Sequence, residues 1–466
     1  MYKNLKNKVH TYSVVALFCM IFNFQLSAQD ITLKINLSGV YESKISLMPL
    51  IGPNALKSIA EIASVKNGES GTISVSKDML PAEFVLRFDY KEKETSTPYP
   101  SEKSIFINNQ NLELWVKPMY SSNNDSTYFQ KDEKENTLFA KFTKENGKQK
   151  EKLGLLQNFL MNYDTPLSKF YQQGIEEYEK RRGEYNQWLK ELSTQHNELF
   201  VSHTFQFQYV PQISFKGSET DRIQSVIAHY FDGINFNDSL LINTANLKEW
   251  MNSYVNLFGS LSKTLAMRDS LFPLAGKTAI EKARLGNRKV YGWMVDYFFK
   301  GYESFNMTAG IKMLEPYIND TNCLTSKRQA IEKRLTGMKT LLTGTLAPDL
   351  TIKDDEGNDV LFSAYKTKSP YKLILFWSAD CDHCKKLVKE LYPWYQELSN
   401  KNLVDIFALS LDETETEIPI WQDAIIKLPG WKHQRCEGGI NSKEANAYFI
   451  LSTPVMILVD SKTNKI

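Results

Sequence analysis

Cysteine is scarce in these 466 residues: there are five, and one of them, Cys19, lies inside an N-terminal apolar run. A small scaffold stapled by disulfides is excluded. Histidine is hardly commoner, at six. His196, His203 and His229 lack the i, i+4 spacing of a helical metal site, so no metal is expected there. Charge of one sign is missing too: Lys plus Arg number 56 against 54 Asp plus Glu, and no basic block stands out. That argues against nucleic acid as a partner.

What remains is an ordinary globular composition, 42% hydrophobic and 24% charged. The length is too great for one core and suggests about three domains. Residues 1–28 read as a signal peptide: Lys3, Lys6 and Lys8, an apolar run from Tyr12 to Phe24, then Leu26-Ser27-Ala28 before the cut. The run is too short to span a bilayer comfortably. Phe18 just before Cys19 is too large for a lipid-modified cysteine, so Cys19 is removed with the run. Export to the periplasm or cell envelope follows, where four remaining cysteines meet an oxidising compartment.

Residues 29–120 alternate apolar and polar in short runs, such as Ile31 to Leu37, Phe84 to Phe88 and Leu112 to Val116, separated by Gly52-Pro53 and Asn67-Gly68. This predicts a small antiparallel β-sandwich. It holds no paired acids, histidines or glycine loop, and reads as a packing or docking module. Lys91 to Glu102 is expected as an exposed loop, and residues 121–135 as a polar linker. From 136 to 343 the spacing becomes helical, with Pro166, Pro211, Pro273 and Pro316 at expected helix boundaries, including one helix from Ala279 to Phe299. This is an all-α domain.

The chemistry gathers in residues 344–466. Lys372 to Trp377 reads as an apolar strand that runs through a short turn into a helix beginning at Cys381-Asp-His-Cys384. At a helix N-terminus the unpaired N–H groups and the dipole favour an anion, so the Cys381 thiol should ionise readily and attack. Cys384, one turn on, is placed to resolve a mixed disulfide. Half a zinc site has the same spacing, but the other cysteines, Cys323 and Cys436, stand far apart in sequence and offer no second pair. They suit either a disulfide with each other or free buried thiols. A peroxidase would need a lone cysteine in a Pro-x-x-x-Thr-x-x-Cys context, which is absent.

The strand, the redox helix and Ser452-Thr453-Pro454-Val455 together resemble the thioredoxin fold. Leu346-Ala-Pro-Asp-Leu-Thr-Ile352, the turn at 355–358 and a second strand to Tyr365 resemble the TlpA/ResA-like branch, extracytoplasmic thiol–disulfide oxidoreductases. The segment His229 to Leu241 and the sheet before it resemble, more weakly, domains of unknown function that precede thioredoxin domains in secreted bacterial proteins. The resemblance implies an α/β thioredoxin-like domain in which Cys381 attacks, Cys384 resolves, and Thr453 with a cis Pro454 holds a partner chain, with Trp377 among the partner-binding residues. It also implies protein thiols or disulfides as partners, a membrane electron donor and no cofactor. His383, in place of thioredoxin's proline, would stabilise the Cys381 thiolate, with Asp380 and Asp382 opposing it. Leu375 stands where thioredoxin buries an acid, and Lys389 where a proline usually kinks the helix. After Asp460 the fold's last strand and helix are missing, which suggests either a truncated sequence or a C-terminal domain with an exposed edge. The other reading is a binding or scaffold protein with a degenerate docking domain.

Overall fold

The computed structural model describes residues 30–123, 125–354 and 356–466. The expected signal peptide lies outside them. They form two compact units: residues up to 150 with 196–202, and residues 151–195 with 203–466.

In the first unit, strands β1 (Ile31–Leu37), β2 (Glu42–Pro49), β3 (Ala60–Lys66), β4 (Ser70–Val75), β5 (Ala82–Lys91), β6 (Tyr99–Ile107), β7 (Leu112–Val116) and β8 (Tyr128–Phe129) form two four-stranded sheets. Their orders are β4-β1-β7-β8 and β3-β2-β5-β6. Alternate residues point inward, so Ile31, Leu33, Ile35 and Leu37 of β1 meet Leu47, Phe84, Leu86 and Ile107 in one core. One expectation fails in detail: β1 and β7 run parallel, so the sheets are not wholly antiparallel.

Two stretches expected to run free are structured. β5 and β6 extend into the presumed loop, Tyr90 pairing with Tyr99, which leaves only residues 92–98 outside the strands. Residues 121–135 are no simple linker. They supply β8, which pairs with β7, and a buried polar cluster at the start of the helix Glu135–Asn162. There the Asn136 amide bonds both the N–H (2.8 Å) and the carbonyl (2.9 Å) of Phe106. The Glu133 carboxylate accepts from the N–H groups of Asn136 (2.7 Å) and Thr137 (2.8 Å), the orphan donors of the helix start.

The second unit begins with helices. Asn246–Leu261, Leu265–Arg284, Arg288–Ser304 and Arg328–Thr340 surround a core that includes Leu247, Tyr254, Ile280, Val295, Tyr302 and Ile331. Pro273 sits inside a helix rather than ending one. The helix continues through it, and the Tyr302 hydroxyl donates to the neighbouring Phe272 carbonyl at 3.0 Å. The single helix expected over Ala279 to Phe299 is two. Gly286 lies so close to Phe236 that a Cβ would come within 2.4 Å of its carbonyl oxygen, and Asn287 caps the next helix through the Lys289 N–H at 2.9 Å.

The chain then enters a hairpin, β9 (Thr351–Lys353) with β10 (Asp359–Leu361), and a sheet of β11 (Tyr371–Trp377), β12 (Val404–Ser410), β13 (Lys432–Arg435) and β14 (Val455–Asp460). Its order is β13-β12-β11-β14, with β14 antiparallel to β11 and the others parallel. Both faces of β11 and β12 are covered, which their continuous apolar runs require. Ile374, Phe376 and Phe407 pack with Phe362, Tyr448 and Ile457, whereas Leu373, Leu375, Trp377 and Ile406 pack with Cys384, Tyr395 and Trp431. Among the described residues no helix is long and apolar enough to cross a membrane.

Candidate active site

The site forms where β11 ends. Trp377 closes the strand, Ser378 to Asp380 turn, and the helix Asp382–Gln396 begins with Cys381 as its N-cap. The Cys381 sulfur accepts from the Cys384 N–H at 3.4 Å, the place an Asp or Ser oxygen usually takes. From the other side, the Thr453 carbonyl lies 3.8 Å from the same sulfur, next to a cis Thr453–Pro454 peptide. Two segments about seventy residues apart therefore meet at one atom.

The two sulfurs are treated oppositely. Partial burial pushes the Cys381 thiol up, but hydrogen bonds from the Cys384 thiol and N–H, the Thr453 side chain and the His383 N–H outweigh it, and the net direction is down. Cys384 is fully buried, and burial pushes its thiol up to about 11 despite bonds from Thr453 and the Ser378 N–H, the latter at 3.5 Å. One sulfur is prepared to be a thiolate at the surface and the other is kept protonated beneath it. Cys323 and Cys436 are free and sit in separate cores, their thiols raised by burial to about 11 and about 12. They form no disulfide.

His383 is exposed, and its backbone N–H rather than its ring is what acts on Cys381. Asp380 and Asp382 share Lys385, whose Nζ lies 3.3 and 3.7 Å from their carboxylates. Their opposition to the thiolate is thereby reduced. Trp377, expected to touch a partner chain, is only 2% exposed and packs with Cys384 in the core, so it supports the site from within.

One residue escaped the sequence reading. Asp412 is fully buried just past β12. Its carboxylate accepts from the hydroxyls of Ser378 (2.6 Å) and Ser410 (2.7 Å) and from the Ala379 N–H (2.9 Å). It thus fixes the turn whose Ser378 N–H points at Cys384. Its one signal in the sequence was its position, an acid at the C-terminal end of a buried parallel strand, where sites in α/β sheets gather. Among the described residues no group of three or more His, Cys, Asp or Glu is placed to hold a metal ion.

Residues 343–434 match the AhpC/TSA family. The C-terminal domain belongs to that family of thioredoxin-like redox enzymes. Solved structures similar to this chain include a thioredoxin-like protein from Bacteroides caccae, at 16% identity and a TM-score of 0.37, matched over 55% of this chain and 91% of that one. They also include the thioredoxin domain of a thiol-disulfide oxidoreductase from Bacteroides vulgatus, at 30% identity and a TM-score of 0.23, over 27% of this chain and 85% of that one. A thiol:disulfide interchange protein from a Bacteroides species is 29% identical with a TM-score of 0.21, over 27% of this chain and 80% of that one. No curated protein matches the sequence.

Proposed function

We propose that this protein is an exported thiol–disulfide oxidoreductase that reduces disulfides in other proteins. The observation that carries the reading is the pairing of an N-capping, acidified Cys381 with a buried, protonated Cys384 within one helical turn. The Cys381 thiolate attacks one sulfur of the partner's disulfide, forming a mixed disulfide and releasing the other partner sulfur as a thiolate that takes up a proton. Cys384 then loses its proton and attacks the Cys381 sulfur. A Cys381–Cys384 disulfide forms, the partner leaves as a dithiol, and two electrons have moved to it. A dithiol donor at the membrane restores the enzyme. Thr453 and Pro454 serve as the rest for the partner backbone, and His383 contributes its backbone N–H to the thiolate. Export is supported by the basic and apolar N-terminal pattern, and the reducing direction by the resemblance to the TlpA/ResA-like branch.

Insulin reduction with dithiothreitol as donor tests this. The wild type should accelerate precipitation of the insulin B chain and Cys381→Ser should not; equal and negligible rates for both would leave only a docking domain.

A further inference from the structure

The helix Arg328–Thr340 is the last α-helix before the redox sheet, and it packs against Asn446 and Phe449, a few residues before Thr453. Gly337 faces Phe449 so closely that a Cβ there would stand 2.8 Å from the Phe449 Cβ and 3.1 Å from its Cγ. Carbon atoms do not approach to that distance, so the contact exists only because residue 337 has no side chain. One turn earlier, Lys333 Nζ donates to Asn446 Oδ1 at 2.8 Å. Leu451 packs against the helical core, and Leu341, just past the helix, packs against the redox core. The segment so held is short: Phe449 has a φ of 53°, the Ile450 N–H returns to the Ala445 carbonyl at 2.8 Å, and Thr453 follows with its carbonyl on the Cys381 sulfur.

We propose that the helix Arg328–Thr340 is a positioning element for the redox site: through Phe449 and Leu451 it holds the Thr453–Pro454 peptide against Cys381. The helical region thereby sets the reactivity of a sulfur that it does not touch. This deepens the oxidoreductase reading and rests on it for its consequence, but its direct readout, the acidity of Cys381, does not require turnover.

The test uses the full chain in its reduced form, with alkylation of Cys381 by iodoacetamide followed across a pH series and insulin turnover measured in parallel. In Gly337→Val the added methyl groups push Phe449 away, and Thr453 loses its seat on the sulfur. With Thr453 displaced, Cys381 also loses the Thr453 side-chain hydrogen bond that favours its thiolate, and the alkylation midpoint should rise by about half a pH unit, the size of one weakened hydrogen bond. Turnover should fall roughly threefold. Phe449→Ala alone, which removes the contact without crowding the helix, should shift both in the same direction, which a clash confined to the helix would not do. A folded Gly337→Val with an unchanged midpoint, or a Phe449→Ala with wild-type values, overturns the proposal. If Gly337→Val does not fold, Leu451→Ala takes its place, and a wild-type alkylation profile in that variant is equally decisive against it. A wild type that never reduces insulin, with the midpoint still shifting in Gly337→Val, would sink the oxidoreductase reading and leave the positioning intact.

Discussion

Two helix starts in this molecule solve the same electrostatic problem in different ways. At Glu135–Asn162 the first N–H groups are met by the Glu133 carboxylate, buried in the first unit. At Asp382–Gln396 the equivalent place is taken by the Cys381 sulfur, an anion only when its proton has left and one able to form a bond. Orphan donors and a dipole favour negative charge at both. The second start differs in its capping atom, a sulfur that can form a covalent bond and that lies 3.8 Å from the Thr453 carbonyl. A helix N-terminus supplies stabilisation for an anion, and the residue that occupies it decides whether this is used for folding or for reaction.

The comparison breaks most visibly if the two starts are made alike. Cys381→Asp puts a fixed carboxylate at the redox helix: insulin turnover should vanish, while urea denaturation shows stability unchanged or higher by about 0.5–1 kcal/mol. A turnover above background in this variant would mean that the sulfur is not the attacking atom. The converse change is smaller. Glu133→Ala removes the capping carboxylate and leaves the N–H groups of Asn136 and Thr137 without it, which should cost about 1–2 kcal/mol by urea denaturation. The alkylation profile of Cys381 should not move; if it does, the two starts are coupled and the contrast between them is wrong.

The smallest effect is a pH dependence that separates the two sulfurs. The Cys381 thiol is depressed in the folded state, so its contribution to stability is present above its unfolded value and lost as pH falls through the folded one. The Cys384 thiol is raised from an ordinary 9.0 to about 11, so its contribution is complete below 9.0 and lost as pH rises through about 11. Neither proton exists in the oxidised protein. The stability of the reduced form relative to the oxidised one should therefore climb as pH rises toward 9.0 and fall between there and about 11. Urea denaturation of both forms over that range checks it, and a monotonic difference would show that the sulfurs are not tuned in opposite directions.

What could be read in the sequence follows from how local the determinants are. β11 and the redox helix announce themselves because a run from Leu373 to Trp377 and a C-x-x-C are each complete within a few residues. β3 and β13 do not. Of β3 only Val65 is fully buried, and Lys432-His-Gln-Arg435 carries no apolar pattern at all, as suits strands at the sheet edge. Asp412 was invisible for another reason: its partners Ser378 and Ala379 lie more than thirty residues away, and only the parallel pairing of β12 with β11 brings them together. Trp377 falls on the same inward face as Leu373 and Leu375, a placement that the continuous apolar run of β11 does not reveal. The break at Gly286 depends on Phe236, again distant in the chain.

The burial of Cys323, Cys384 and Cys436 has a practical outcome. Of the four described cysteines, Cys381 alone meets solvent, so a fluorescent maleimide added to native, reduced protein should label it at one equivalent per chain. Among the described residues there is thus one reporter position, and a dye placed there would respond to anything that docks over the sulfur without an engineered cysteine being introduced.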